Sequence, residues 1–211
     1  LKNNPNFKIG LGNEIYLIDD RENCDEFYHF ILIAKDKEGH RQLRELSSLA
    51  WMNSYFFKGM ERVPTLKQDL ENIVSKNPGH LIATTACLGG ELSSNTLKME
   101  NARKIGDNRT AEECKNKIIN FVLWCKNIFG EDFYFEVQPN DDDEQVYYNN
   151  TLRNLSKAYG VPLIVATDVH YLKKEDKVFH KAFLNSQEGD REVDDFYKTT
   201  YMMSYEEIKS Y

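Results

Sequence analysis

The sequence lacks an apolar run long enough to cross a membrane. Its most strongly apolar stretch, residues 161–167, is interrupted by Pro162 and falls far short of the roughly 20 residues that a transmembrane helix needs. Cysteine is also scarce: the four cysteines are widely spaced without a C-x-x-C pair, and no secretory signal precedes them. We therefore expect no membrane span, and reduced thiols in a cytoplasmic protein.

Positive charge is in short supply. The 211 residues include 27 Lys and Arg against 34 Asp and Glu, a formal net charge of -7. A general duplex-DNA binder carries the opposite balance, so any contact with nucleic acid is expected to be local. With 41% hydrophobic residues, the chain has the composition of one globular domain or two small ones.

Several common catalytic motifs are missing as well. The sequence has no G-x-x-x-x-G-K-[ST] phosphate loop, and no G-x-G-x-x-G follows a strand-like run. It also has neither G-x-S-x-G nor H-E-x-x-H. Nucleotide binding of those kinds, serine-hydrolase chemistry and helix-based metalloprotease chemistry are therefore not supported.

What the sequence does contain is an alternation of strand-like and helix-like segments. Strand-like apolar runs cover residues 9–18, 27–34 (predicted to be buried on both faces), 81–86, 133–137 and 161–166. Helical periodicity and capping signals predict helices over residues 39–57 and 66–76, the second opened by a capping box at residues 65–68. They also predict a helix opened by a capping box at 110–113 and ended at Gly130, and a helix between an acidic cluster at 141–144 and Gly160. This order predicts an α/β fold with a parallel sheet, open or closed as a barrel, whose chemistry lies at the carboxyl ends of strands.

Asp168 and His170 follow the last predicted strand directly. Two residues apart, their side chains point the same way if the extended geometry continues, which is typical of a metal-ligand or acid/base pair. The alternative is equally compatible with the spacing: Asp168 caps a helix, and His170 is an ordinary loop residue.

Three further polar residues stand within or directly after strand-like runs. Glu14 either needs a cation or simply faces solvent. His29 is either a ligand or a satisfied core histidine, and Cys87 is either a ligand or a small core hydrophobe. Four strands would therefore each place a potential metal ligand near its end: Glu14, His29, Cys87 and the Asp168/His170 pair. Mixed N, O and S donors favour zinc, with manganese or iron as alternatives, and His40, His80 and His180 are left as surface or packing residues.

Five segments resemble the PHP (polymerase and histidinol phosphatase) domain found in the alpha subunit of bacterial replicative DNA polymerase III. The family's G-I-K-P-I-I-G-x-E-x-Y, Y-H-L-x-L-L-A, G-C-L-x-G-E-L, F-Y-L-E-V-Q and A-T-N-D-V-H-Y stretches are matched, in that order, by residues 6–17, 28–34, 86–92, 133–138 and 166–171. The tail from Tyr201 to Glu207 resembles the segment that leads toward the polymerase palm.

The resemblance implies a specific site and fold. It makes Glu14, His29, Cys87, Asp168 and His170 the matches to family metal ligands, with Asp168 and His170 as the candidates for proton transfer. The implied fold is a distorted seven-stranded βα barrel related to the TIM barrel. The implied cofactors are divalent metals, zinc or manganese here and magnesium for the parent polymerase, in a phosphoesterase or 3′–5′ exonuclease type of site.

Two departures from the family pattern shape the expectations. The family's H-x-H and T-D-H motifs do not occur, and the chain opens on Leu1, so we expect a PHP domain over residues 1–190 that lacks its first strands and about half of its ligands. Residues 191–211 would begin the connection toward the palm. An uncovered strand edge would then favour self-association. The A-T-D stretch is also one residue shorter than A-T-N-D, so Asp168 stands one position nearer to the end of the predicted strand than in the family pattern.

Three functions therefore remain open at the level of sequence. The leading hypothesis is a PHP domain of a bacterial or phage DNA polymerase III alpha subunit, with DNA and other replisome subunits as partners. The second is a non-catalytic scaffold that stabilises the polymerase and docks a partner. The third is a free-standing phosphoesterase similar to histidinol phosphatase.

Overall fold

The computed structural model describes residues 7–22, 24–187 and 195–211 of the chain. The chain divides into two compact units, Leu1–Tyr134 and Phe135–Tyr211. In the part of the chain so described, no helix combines the length and the apolar character that crossing a membrane requires. The predicted boundary at residues 190 and 191 lies outside the described residues.

The first unit is built on a mixed β-sheet. Its strands are β1 (Leu11–Ile18), β2 (Tyr28–Ala34), β3 (Tyr55–Phe57), β4 (Met60–Arg62), β5 (Pro64–Leu66) and β6 (Leu81–Thr84). β1 runs antiparallel to β2 and β2 antiparallel to β6, whereas β5 is parallel to β1. β6 pairs in parallel with Phe133 and Tyr134, where β7 (Phe133–Val137) begins. The predicted α/β alternation is confirmed, but two of these pairings are antiparallel because β2 returns beside β1 without a crossover helix.

The described part of this unit has four helices, α1 (Lys37–Met52), α2 (Lys67–Val74), α3 (Glu91–Lys104) and α4 (Asn108–Phe129). The helices α1, α2 and α4 pack on the strands, and α3 packs chiefly against α4. Asp36 caps α1 by accepting bonds from the backbone N–H groups of Glu38 and Gly39. The core contains side chains from both the strands and the helices, among them Leu17, Phe30, Leu32, Leu46, Leu70, Leu92, Val122 and Cys125. Burial of these side chains is the main source of stability for the unit.

The prediction of one helix over residues 39–57 is wrong at its carboxyl end. α1 ends at Met52, and Tyr55–Phe57 instead forms β3, which pairs antiparallel with β4. The two-residue turn, Lys58 and Gly59, has positive φ at both positions (49° and 79°), as a type I′ hairpin requires. Aromatic residues followed by Lys-Gly therefore form a hairpin here.

Both predicted capping boxes are also wrong. Thr65 lies buried in β5, and α2 begins at Lys67 without a side-chain cap. α4 begins before Thr110, because the side chain of Asp107 accepts the bond from the Thr110 backbone N–H at 3.0 Å. A residue three positions before the predicted cap therefore starts α4, whereas no side chain caps the start of α2.

Sequence periodicity did not predict α3, because its buried face is partly polar. Asn95 and Thr96 are buried and satisfy their side chains by donating to the carbonyl oxygens of Glu91 (2.9 Å) and Leu92 (2.7 Å). A helix that buries small polar side chains in this way shows little apolar periodicity.

β2 has one buried face, not two as its sequence predicts. Phe30 and Leu32 are fully buried, whereas His29, Ile31 and Ile33 on the other face are partly exposed. The alternation follows from the period of two along a strand. It places His29 on a face that solvent or a ligand can reach.

The described residues of the second unit form the end of β7, the strand β8 (Leu163–Val165) and three α-helices. Phe135–Val137 pairs in parallel with β8, and the helices are α5 (Asp143–Tyr159), α6 (Lys177–Gln187) and α7 (Tyr205–Lys209). As predicted, the acidic cluster starts α5, with Asp142 as its cap, and Gly160 ends it with φ at 67°. A small apolar cluster joins Tyr171, Tyr201 and Met203, with Ile208 packed against it.

Candidate metal centre

Three predicted ligands converge in the first unit. Glu14 comes from β1, His29 from β2 and Cys87 from the loop after β6, and one ligand atom from each lies within 4.8 Å of the others. Glu14 Oε1 lies 2.7 Å from His29 Nδ1, and Cys87 Sγ lies 3.4 Å from the same nitrogen. The imidazole nitrogen is thus the common neighbour of a carboxylate and a thiol.

The register of β1 and β2 brings Glu14 to His29. Glu14 is opposite Ile31 and Tyr16 is opposite His29, so Glu14 is the diagonal neighbour of His29 on one face of the sheet. The side chains of Glu14 and His29 are 48% and 34% exposed. Glu14 therefore faces solvent and contacts His29 at once, and His29 is not a core histidine.

The rule that sites form at the carboxyl ends of strands explains only part of this cluster. Cys87 does follow the end of β6, but Glu14 lies in the middle of β1 and His29 near the start of β2. Antiparallel pairing, not a shared strand end, brings the carboxylate and the imidazole together.

The loop from Ala86 to Gly90 fixes the thiol against the imidazole. Ala86 has a φ of 56°, a left-handed conformation that is uncommon outside glycine and is enriched at functional sites. The carbonyl of Gly89 accepts a bond from the His29 backbone N–H at 2.9 Å, and the Gly89 N–H lies 3.4 Å from Cys87 Sγ. A Cβ on Gly89 would lie 3.1 Å from the His29 ring, so the loop approaches the ring as closely as it does because that residue is glycine.

A buried ion pair anchors the helix that follows this loop. Lys67 Nζ lies 2.7 Å from Glu91 Oε2 and 2.9 Å from Asp19 Oδ1, with the Glu91 side chain only 9% exposed. Burial alone would lower the pKa of Lys67, but the two carboxylates outweigh it and hold that pKa above its usual value. The Lys67 ammonium also lies beside the rings of Phe121 and Trp124. No sequence pattern predicts this pair, since Lys67 and Glu91 lie far apart in the chain.

Electrostatics favour a cation at the His29 position. Hydrogen bonds with Cys87 and Glu14 raise the pKa of His29 to about 10, against the opposing effect of burial. The metal-free imidazole is therefore protonated at neutral pH, and a metal ion would take the place of that proton. An oxygen, a nitrogen and a sulfur donor on one partly exposed face fit zinc, whose protein ligands are these three types.

Asp168 and His170 come together in the second unit. His170 Nδ1 lies 2.6 Å from the Asp168 carbonyl oxygen and 3.8 Å from the carboxylate Oδ1. A carbonyl oxygen can only accept, so Nδ1 carries the proton and Nε2 keeps its lone pair for a metal or a proton.

The backbone at Asp168 differs from the extended geometry that the sequence predicts. Its φ is 46°, which turns the peptide so that the carbonyl meets the His170 ring. Asp168 does not cap a helix, because the next helical turn begins at Lys174. The two side chains are adjacent nonetheless, for a different reason from the one predicted.

His180 is a neighbour of this pair that sequence reasoning set aside. Its ring centroid lies 5.2 Å from that of His170 and 5.0 Å from that of Tyr197. The side chain lines a cavity of about 520 Å³ together with His170, Tyr171, Asp176, Phe179 and Phe183. Burial, with a smaller effect of His170, lowers the pKa of His180. The signal available in the sequence was weak: one histidine ten residues beyond another.

Comparison with known proteins identifies the relatives of this chain. The profile of the PHP domain family matches residues 2–140. Over 96% of its length the chain is 46% identical to Probable DNA polymerase YorL of Bacillus subtilis and, equally, to a DNA-directed DNA polymerase of Bacillus phage SPbeta. Over 71% of its length it is 37% identical to DNA polymerase III subunit alpha of Borreliella burgdorferi. The chain spans 16%, 16% and 11% of the lengths of these relatives.

Proposed function

Because this chain belongs to the PHP domain family, we propose that it is the PHP domain of a DNA polymerase related to DNA polymerase III alpha subunits. The parent protein would carry out DNA-directed DNA synthesis as part of a replisome, and the domain would bear a metal-dependent phosphoesterase site of the 3′–5′ exonuclease type. The names of the relatives support the first part. The cluster of Glu14, His29 and Cys87 carries the second.

Each residue has a definite role in this proposal. Glu14, His29 and Cys87 hold one divalent ion, with zinc favoured by the thiolate and manganese as the alternative. When bound, such an ion supplies Lewis-acid stabilisation of charge on a phosphoryl oxygen.

Asp168 and His170 provide the second set of functional groups. With Nδ1 held by the Asp168 carbonyl, the imidazole presents Nε2 in a fixed orientation, where it can accept a proton from an attacking water. The Asp168 carboxylate, 3.8 Å away, stabilises the imidazolium that results.

A non-catalytic scaffold is the second candidate, favoured by one observation. The protonated His29 already attracts both Glu14 and Cys87, which lie 2.7 Å and 3.4 Å from its Nδ1, so the cluster can hold the Cys87 loop to the sheet without any ion. In that case substitution of Glu14, His29 or Cys87 would lower thermal stability and leave catalysis by the parent protein unchanged. A free-standing phosphomonoesterase has less support, because the relatives named above are polymerases.

The two candidates differ in a combined metal and nuclease assay of the full-length protein. We expect stoichiometric zinc or manganese in the purified wild type, and release of nucleotides from a 3′-labelled single strand. Cys87→Ser should lower metal content, and His170→Ala should abolish nucleotide release. Cys24→Ser, which removes a thiol outside the cluster, is the matched control and should change neither. Unchanged nuclease activity in both Cys87→Ser and His170→Ala would favour the scaffold.

A further inference from the structure

The His170 imidazole contacts two other rings of the second unit. The ring centroid of His180 lies 5.2 Å from that of His170 with 62° between the ring planes, and that of Tyr197 lies 5.3 Å away at 74°. His180 and Tyr197 also contact each other, at 5.0 Å and 63°. These angles are typical of edge-to-face packing. We call His180 and Tyr197 the ring pair, and each of its members limits the rotation of the His170 ring.

The ring pair is itself held in place by the apolar cluster of this unit. The His180 centroid lies 5.6 Å from that of Tyr171, which belongs to that cluster. Tyr197 lies in the short helical turn Asp195–Thr199, and its backbone carbonyl accepts a bond from the Tyr171 hydroxyl. Tyr171 therefore anchors both members of the ring pair.

The backbone at His170 is fixed by the segment that follows this turn. The His170 N–H donates to the Thr200 carbonyl at 2.7 Å, and the Tyr171 N–H donates to the same oxygen at 3.4 Å. The Tyr171 carbonyl accepts a bond from the Met202 N–H at 3.2 Å. These bonds fix the backbone, but they leave the side-chain torsions of His170 to be restrained by other contacts.

The bond from His170 Nδ1 to the Asp168 carbonyl restrains the ring only in part. It is exposed to solvent, and a single hydrogen bond shifts an equilibrium between two ring orientations by about tenfold at most. In water, a neutral imidazole favours the proton on Nε2, which is the opposite tautomer to the one that this bond requires. Each edge-to-face contact contributes a further factor of about two to ten. The ring pair is therefore needed to select one orientation and one tautomer.

A role in packing alone does not account for the ring pair. Tyr171 and Tyr201 of the apolar cluster are 8% and 6% exposed, whereas His180 and Tyr197 are only half-buried. His180 Nδ1 is buried and has no hydrogen-bond partner among the described residues, which is a cost to stability. What connects His180 to His170 is thus the contact between their rings and not a hydrogen bond from this nitrogen.

We propose that His180 and Tyr197 are positioning residues for His170. They hold its imidazole with the Nδ1 proton on the Asp168 carbonyl, so that Nε2 is the nitrogen presented to the reaction. The inference rests on the proposed function for the use of Nε2. The orientation and the tautomer of His170 are nevertheless properties of the chain itself, and they are measured without metal or substrate.

Nuclear magnetic resonance of the 211-residue chain tests this directly. The chain has five histidines, so labelling with nitrogen-15 histidine and a long-range proton–nitrogen spectrum report the tautomer of each ring. In EDTA at about pH 8, above the usual range of histidine pKa values, we expect His170 to carry its proton on Nδ1. His180→Ala should reduce the preference for this tautomer by about two- to tenfold. His40→Ala, which removes an exposed histidine of α1, is the matched control and should leave the His170 signals unchanged.

His180→Phe guards against loss of folding as an explanation. It keeps a planar ring and removes the buried nitrogen without a partner, so the melting temperature should not fall and the Nδ1 proton should return. Tyr197→Leu, which removes the second ring, should shift the tautomer as His180→Ala does. The wild-type tautomer in both His180→Ala and Tyr197→Leu would overturn the proposal. So would a His180→Phe spectrum like that of His180→Ala, or a wild-type His170 with its proton on Nε2.

The same variants separate this inference from the proposed function. In the full-length protein, His180→Ala should lower kcat for nucleotide release by a similar factor with KM unchanged, and His180→Phe should restore it. A shifted tautomer in a protein without nuclease activity would leave the inference standing and remove the proposed function. An unshifted tautomer in His180→Ala, with nuclease activity that requires His170, would do the reverse.

Discussion

The carboxylate of Glu14 lies 2.7 Å from His29 Nδ1 across an antiparallel strand pair, and Cys87 Sγ reaches the same nitrogen. This contact joins a side chain from the middle of β1 to one near the start of β2. The cluster therefore belongs to a sheet face, and its properties depend on how the loop after β6 is held against that face.

Stability of the metal-free protein should depend on pH through His29. Its folded pKa, about 10, lies above the unfolded value of 6.5, so the stabilisation is fully present below about pH 6.5 and is lost as pH rises toward 10. In EDTA, the difference in melting temperature between wild type and His29→Gln should shrink over that range. Thermal melts followed by circular dichroism measure it. Parallel pH profiles for the two proteins would show that His29 does not titrate as the contacts require.

Gly89→Ala should disturb the cluster from the backbone side. The added Cβ would lie 3.1 Å from the His29 ring, so the ring or the loop must move, at a cost of about 1 to 3 kcal/mol. Zinc affinity, measured by competition with a chromogenic chelator, should fall. Gly10→Ala is the control, because nothing lies within 4 Å of its Cβ. Equal zinc affinity in the two variants would mean that the close approach of Gly89 does not matter.

Glu91→Gln should destabilise the first unit strongly. It leaves Lys67 buried beside Phe121 and Trp124 with Asp19 as its remaining partner, and breaking a buried pair costs about 3 kcal/mol. Urea denaturation gives the change in unfolding free energy. Glu112→Gln breaks the exposed pair with Lys115 and should cost less than about 1 kcal/mol. Similar losses for both would contradict a buried anchor for α3.

Asp168→Gly separates backbone conformation from carboxylate chemistry. Glycine adopts the φ of 46° without strain, so the variant should be as stable as wild type or more stable by up to about 1 kcal/mol. It also keeps the carbonyl that holds His170. If the carboxylate has the proposed role, nuclease activity should nevertheless fall in Asp168→Gly, and it should fall in Asp168→Asn as well. Full activity in both variants would remove Asp168 from the site.

Sequence reasoning selected side chains that the structure brings together in two groups, but partly for other reasons than those that position them. Cys87 and Asp168 were selected because they follow strands, and β6 and β8 do end just before them. Glu14 and His29 meet through antiparallel register, which a single sequence does not reveal because alternation looks the same in both kinds of sheet.

Other features were beyond prediction for physical reasons. The polar buried face of α3 hides its periodicity, and the aromatic run at Tyr55 resembles the end of an amphipathic helix until the Lys58-Gly59 turn closes a hairpin. Lys67 and Glu91 are brought together by tertiary packing alone. The left-handed backbone at Ala86 and Asp168 likewise requires the surrounding structure.

The most direct test of the metal centre is X-ray absorption spectroscopy at the zinc edge of the zinc-loaded chain. The account predicts one sulfur at about 2.3 Å, from Cys87, together with nitrogen and oxygen ligands at about 2.0 to 2.2 Å. The sulfur shell should vanish in Cys87→Ser and persist in Cys24→Ser. A zinc spectrum without sulfur in the wild type, or one unchanged in Cys87→Ser, would contradict a centre built from Glu14, His29 and Cys87.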